Sequence, residues 1–588
     1  MLYKYSYDLS GRTPGISGSD GTSVNYVYDD FSRVSKQIAK VQSNTLSTEY
    51  LYGKAENGQL NGVIYGIKQN GQNSLSYSYD NLTRLNIRTI DGADSYKTEY
   101  SYLDGGSANT TTTMVKTVKN GDDILEYSYD DVGNITEVKK NGTVTESYSY
   151  DSLNQLVGAT YGGHTYTYIY DNGGNILSVK KDGTTVKSYA YGDAEWKDLL
   201  TQYNGETITY DQIGNPLSYR NGFNFTWSNG RQLTGITKDN DSISYLYNAD
   251  GQRVQKTVNG SVTDYYYING ILQAQKTGDE YILFLYDENG TAYGMVIKNG
   301  TTEEYYYYLF NAQGDVIGIV NQDGVQVVSY EYGAWGDITS ITGSLAQTIG
   351  EKNPIRYRGY YYDTGTGFYY LQSRYYDPEV LRFINADGYV STGLGLNSCN
   401  MFAYCGNNPI DKADYYGYCH GYANNSNLSS PYSGVKYGYK CGSYGIHVRR
   451  PKKIDITEKL EEAMITNASA LTKYKEKHNY IDSSLYFINH VKPGGEWDFK
   501  SQDDWQLDPS TTYVFNNMEL RYDDIGNIHY GYVGRVLFST NALMRAGGLV
   551  QIYTGTSKIY YWNTNFDDPR DQWAIGIGCQ IWDSEVLK

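Results

Sequence analysis

Six histidines occur in 588 residues, and five of them fall in the last 170. His164 stands alone early in the chain; His420, His447, His478, His490 and His529 all follow residue 418. Imidazole exchanges protons near neutral pH, so the tail is the first place to look for chemistry. His529, with Asp524 or Glu519 as acid and Arg535 or Arg545 as cation, offers the residue types of metal-free phosphodiester cleavage. That reaction needs a base, an acid and a charge for the phosphate. Glu496, Glu519, Asp568 and Asp571 are instead candidates for a glycosidase pair, whose carboxylates stand about 5 to 9 Å apart. Asp567, Asp568 and Asp571 could approach a divalent metal, but acids around a helix start read first as caps and dipole partners. His529 likewise has a structural reading as a packed ring. No cofactor and no metal is expected.

These side chains need a scaffold. Asp455 and Glu458 have capping-box spacing, and Ile456, Leu460, Met464 and Leu471 fall near one helical face, so a helix is expected there. A second is expected over Thr540 to Gln551, and a third from Pro569, after Asp568. VFNNMEL, NIHYGYVG and KIYYWNT are expected to be short strands, which makes residues 451–588 a small α+β domain. Tyr522 to Asn527 (YDDIGN) reads as a turn leading into His529 and Gly534. Residues 419–450, rich in Gly, Ser, Asn and Tyr, read as a linker.

The first 350 residues are of another kind. The chain has 68 Tyr against 13 Phe and 8 Trp, with 64 Gly and only 10 Pro, a composition of strands joined by tight turns. YSYDLSGR, YVYDDFSR, YSYDNLTR, YSYDDVGN, YSYDSLNQ and YIYDNGGN place Tyr-Asp pairs at Asp8, Asp29, Asp80, Asp130, Asp151 and Asp171. Asp8 and Asp29, Asp130 and Asp151, and Asp151 and Asp171 lie 21, 21 and 20 residues apart, enough for a strand, a turn and a return strand. Later copies such as FTWSNGR, YLYNADGQR and YLFNAQGD keep the aromatic alternation and often lose the Asp. No unit of this size buries its own face, so the copies must stack into a continuous sheet, with the tyrosines as wall residues.

A net charge of −17 argues against the whole chain clinging to nucleic acid or anionic lipid. Five scattered cysteines form neither a disulfide framework nor a metal motif. No run of 18 apolar residues and no leader-like start occurs, so no membrane span is expected, and an export signal would have to lie elsewhere.

The repeats resemble the YD-repeat, or RHS, family, which implies a hollow spiralling β-shell around an unfolded cargo. The chain opens in mid-repeat at Tyr5 to Asp8, so it is expected to be the C-terminal part of a longer protein with a partial shell. IRYRGYYYDTGTGFYYLQSRYYDPE, RFINADG, NMFAYCGNNP and DYYGY, within residues 351–418, closely resemble the RHS repeat-associated core domain. That resemblance implies a cap acting as an aspartyl autoprotease. Its arginine falls on Arg374, its aspartates on Asp387 and Asp414, and its scissile bond on Tyr418–Cys419. The chain departs from the family where Gly388 and Tyr415 replace prolines and Tyr418 replaces leucine, which bears on local turn geometry.

GGEWDFK, NIHYGYVG, NALMRAGGLVQ and FDDPRDQWAIGIG resemble the polymorphic toxin type 44 domain. The family implies a secreted or cell-surface protein whose tail enters a target cell, a cognate immunity protein, a delivery apparatus and RNA as substrate. The expected fold is therefore mainly β: a YD-repeat shell over residues 1–350, a cap over 351–418, the linker 419–450 and an α+β toxin domain over 451–588. A peptidoglycan-cleaving tail, or an adhesive surface protein with an inert tail, are the alternatives.

Overall fold

The computed structural model describes residues 3–8, 12–53, 63–92, 94–105, 110–388, 400–417, 421–422, 453–492, 495–499, 505, 512–516, 518–540, 542–544, 546 and 569–584. The chain divides into two compact units: Met1–Ser6 with Thr13–Gly445, and Tyr7–Arg12 with Ile446–Lys588.

The first unit is built from two long antiparallel meanders, a 19-stranded sheet from Tyr3 to Thr207 and a 14-stranded sheet from Thr209 to Thr342. Each strand pairs with the next along the chain, as in Asp123–Tyr129, Ile135–Lys140 and Thr143–Tyr150.

The Tyr-Asp pair explains why the turns recur. In the copy at Asp130, one carboxylate oxygen accepts the backbone N–H groups of Val132 and Asn134, and the other accepts the Asn134 side chain. The Asp thus holds the turn together as an Asx motif. Its neighbour works one repeat back. The Tyr150 hydroxyl donates to the Ile135 carbonyl, Tyr170 to Leu156, Tyr191 to Ile176 and Tyr332 to Val316, at 2.6–3.0 Å. Each accepting carbonyl opens the strand that follows the preceding turn, beside a register shift in the ladder. A bulge there frees a carbonyl, and the next tyrosine satisfies it for about 1 kcal/mol.

Decayed repeats keep both devices by substitution. Trp227 donates its indole N–H to the Pro216 carbonyl at 2.6 Å, and Asn248 and Asn311 accept turn N–H groups as the aspartates do.

The early strands of the first sheet lie against the second. Val41, Ile67, Leu75 and Ile90 share a buried core with Leu283, Leu285, Val296 and Val320. Residues 351–388 and 400–417 pack onto the middle strands through a small four-stranded sheet: Tyr361–Asp363, Phe368–Tyr370, Tyr375–Asp377 and Arg382–Phe383. Buried ion pairs fix this cap. Arg220 grips Asp377 with two bonds of 2.7 and 2.9 Å, Arg253 and Lys256 both reach Asp363, and Arg358 meets Asp315 at 3.2 Å. Burial alone would raise the Asp363 carboxyl, but Arg253 and Lys256 hold it below the ordinary range.

The second unit holds helices α1 (Thr457–Lys475), α2 (Tyr480–Val491) and α3 (Tyr522–Gly534), a helix at Pro569–Asp583, and a sheet of Lys453–Asp455, Thr512–Phe515 and Met518–Leu520. Ile456, Leu460, Met464 and Leu471 form the buried face of α1, as their spacing predicts. Three expectations differ. NIHYGYVG is the body of α3, and YDDIGN is its first turn rather than an open turn. Tyr-x-Tyr imitates strand alternation, but Ile525, Ile528 and Tyr532 are at helical spacing and all enter the core. Gly531 and Gly578 allow α3 to meet the C-terminal helix closely, since a Cβ on either would stand about 2 Å from a carbonyl oxygen of the other helix. Finally, Ile456 holds the N-cap position of α1, while Asp455 accepts the Thr457 N–H at 2.9 Å instead of closing a capping box. Of the expected helix from Thr540, residues 540, 542–544 and 546 are helical; KIYYWNT and nearly all of the linker lie outside the described residues.

Candidate functional site

Arg374 ends a tight turn and opens the cap strand Tyr375–Asp377; its guanidinium lies over the Phe383 ring at 3.6 Å. From there it reaches two segments distant in sequence. Its Nη2 stands 2.8 Å from Asp387 and 3.5 Å from Asp414. Nη1 donates to the Met401 carbonyl at 3.0 Å, and Nε donates to the Gly417 carbonyl. All three charged residues are buried. One guanidinium therefore gathers both carboxylates and the backbone beside Tyr418.

The supports are specific. The Asp387 N–H donates to the Met401 carbonyl at 2.9 Å. The Asp414 N–H donates to the Tyr360 hydroxyl at 2.7 Å, and Asp414 Oδ1 accepts the Gly417 N–H at 2.8 Å. The Ser373 hydroxyl donates to the Tyr416 carbonyl at 2.5 Å. Gly417 has φ +72°, and a Cβ there would stand 2.6 Å from Ser373 Oγ, so glycine is required where the chain tucks under Arg374. Tyr360, Ser373, Met401 and Gly417 escape sequence reading because backbone atoms make most of their contacts here. Tyr418 and Cys419 lie outside the described residues.

In the second unit, the described side chains of His529, Asp524 and Arg535 sit in separate surroundings. His529 is completely buried between α3 and α1, with Nε2 3.0 Å from the Asn467 amide and the Phe499 ring 4.5 Å away. Burial pushes its pKa down to about 3, against a lesser pull from the Ala463 carbonyl. Asp524 is equally buried and accepts the Arg521 N–H at 2.7 Å, capping α3. Arg535 pairs with Asp583 at 2.6 Å and donates to the Phe538 carbonyl at 2.7 Å. Glu519 lies in the strand Met518–Leu520 and Asp571 in the first turn of Pro569–Asp583; Asp567, Asp568 and Arg545 lie outside the described residues. Among the described residues no group of His, Cys, Asp and Glu is arranged to hold a metal ion, and no helix is long and apolar enough to cross a membrane.

The repeat architecture has a counterpart among known families: residues 21–410 match the Teneurin YD-shell model. The chain belongs to the Teneurin YD-shell family. Beyond the YD-shell, residues 486–584 match the bacterial toxin 44 model. The chain is 31% identical over 404 residues to the tRNA nuclease WapA of Bacillus subtilis (strain 168), covering 64% of this chain and 15% of that protein. It is 33% identical over 252 residues to the tRNA(Glu)-specific nuclease WapA of Bacillus subtilis subsp. natto, covering 41% and 10%. This YD-shell chain thus spans 15% or less of the length of these curated relatives. Its fold is similar to the crystal structure of TcdB2-TccC3-Cdc42, with a TM-score of 0.59, 18% identity, and coverage of 74% of this chain and 24% of that one.

Proposed function

We propose that the shell and cap enclose a toxic tail, that the cap severs it at Tyr418–Cys419, and that the freed tail cleaves RNA in competition between bacteria. The observation carrying this reading is the grouping of Asp387, Asp414 and the Gly417 carbonyl on the buried Arg374 guanidinium. Two carboxylates facing one cation leave an excess negative charge, which favours retaining one proton between them. The protonated acid polarises the Tyr418 carbonyl, and the ionised one takes a proton from water as its oxygen attacks that carbon. The C–N bond then breaks, the Cys419 nitrogen gains a proton, and Tyr418 is left with a carboxylate. Arg374 holds both acids in register and fixes the chain one residue upstream.

The match to bacterial toxin 44 and the similarity to proteins named tRNA nucleases support a nuclease tail. On this reading the protein is secreted or surface-borne, its tail enters a target cell, and an immunity protein and a delivery apparatus are its partners. The test is expression of the full chain in the bacterial cytoplasm and, separately, exported to the periplasm. Rapid RNA loss on cytoplasmic expression is expected. Killing only from the periplasm would point to a cell-wall substrate and overturn the nuclease reading.

A further inference from the structure

GGEWDFK brings an exposed carboxylate onto a histidine. His490 lies in the last turn of α2, and its Nδ1 stands 2.7 Å from the Tyr486 carbonyl. That bond assigns the ring proton to Nδ1 and leaves the Nε2 lone pair free to accept a proton. Nε2 faces Glu496 Oε2 at 3.5 Å, and the Glu496 side chain is 78% exposed.

The local chain is built to hold this pair. The Gly495 N–H donates to the Lys492 carbonyl at 2.8 Å, and the Trp497 N–H donates to the His490 carbonyl at 2.9 Å. A Cβ on Gly495 would stand 2.3 Å from that same carbonyl oxygen, so the close return of the loop to α2 depends on glycine. Tyr486 and Trp497 flank the imidazole, with ring centroids 4.1 and 4.6 Å away. Tyr474 stacks on Tyr486 at 4.1 Å and on the exposed His478 at 3.8 Å, extending the aromatic row to the surface. Lys473 and Lys477, both exposed, stand one residue before and three after Tyr474 in the chain, at the end of α1 and just beyond. Aromatic faces with neighbouring cations are what unpaired bases and their phosphates recognise. His529, by contrast, is sealed from solvent and held neutral.

We infer that His490 and Glu496 are the proton-transferring pair of the tail, an inference that rests on the RNA-cleaving reading above. The ribose 2′-oxygen attacks the adjacent phosphorus, forming the O2′–P bond as the P–O5′ bond breaks. Glu496 takes the 2′-hydroxyl proton, and protonated His490 gives its Nε2 proton to the departing 5′-oxygen. The products carry a 2′,3′-cyclic phosphate and a 5′-hydroxyl; solvent exchange returns each side chain to its starting state.

The test is to map both ends of RNA fragments from bacteria induced to make the full chain, with protein amounts equalised. The wild type should yield cyclic-phosphate and 5′-hydroxyl ends, and Glu496→Gln and His490→Gln should each lower fragment yield by about 100-fold or more. Glu496 is exposed, so its variant keeps the fold even if that of His490 does not. Wild-type cleavage with Glu496→Gln within threefold of it would overturn the assignment and leave the nuclease reading standing, as would 5′-phosphate ends. A wild type that leaves RNA intact would remove both.

Discussion

Asp411, near the end of the cap, accepts the backbone N–H of Ile135 in the shell wall at 2.9 Å. A charged side chain with no exposure thus fastens cap to shell. Burial pushes its pKa up to about 6, against the bonds from Ile135, Tyr150 and Asn408. Between about pH 4 and pH 6 the folded chain keeps a proton that the unfolded chain has lost. Stability therefore falls as pH rises through that window, by roughly 3 kcal/mol. Asp411→Asn keeps an oxygen acceptor without the charge, so it should raise Tm at pH 7.5 and shrink the Tm difference between about pH 5 and 7.5. An unchanged difference would contradict this account of the contact.

Arg220 and Asp377 test the seating of the cap from its other side. Arg220→Ala leaves the fully buried Asp377 carboxylate without its two-bonded partner. The expected loss is about 3–5 kcal/mol, seen in thermal unfolding and in faster proteolysis of the cap. Replacing both residues with apolar ones should cost much less than the single change.

His529 predicts the opposite pH response in the tail. Its ordinary value of 6.5 falls to about 3 on burial, so folding favours the neutral ring. That stability is complete above about pH 6.5 and is lost as pH falls toward 3, to the extent of roughly 4–5 kcal/mol. The helical circular-dichroism signal of the tail should collapse in acid, and His529→Gln should flatten the collapse even if it lowers neutral-pH stability.

The sequence reveals the shell because its turn chemistry is local. Asp130 and Tyr150 act within a few residues or one repeat, and Trp227 and Asn248 show that a decayed copy preserves the bond rather than the letter. The convergence of Arg374, Asp387 and Asp414 is not local: it joins positions 13 and 40 residues apart through a fold, and only family resemblance pointed to it. The α3 helix was hidden for another reason. Its tyrosines satisfy both a strand and a helix pattern, and the choice is made by core contacts of Ile525 and Ile528 that no local pattern encodes. His490 was passed over because its partner Glu496 lies across a glycine turn.

Gly417 should be sensitive out of proportion to its size. Gly417→Ala forces a side chain into a left-handed residue against Ser373 Oγ at 2.6 Å. The expected cost is about 1–3 kcal/mol, and the displaced carbonyl should slow cleavage at least tenfold, read as the fraction of intact chain over time after purification.

Intact mass and N-terminal sequencing of the purified wild type, beside Asp387→Asn and Asp414→Asn, address the cap directly. The wild type should appear as two pieces, the smaller of 170 residues beginning at Cys419, while both variants stay whole and folded, with a cooperative unfolding transition. A folded wild type that remains one chain, or variants cut at the same bond as fast as the wild type, would contradict the assignment of Asp387 and Asp414 as the cleaving pair.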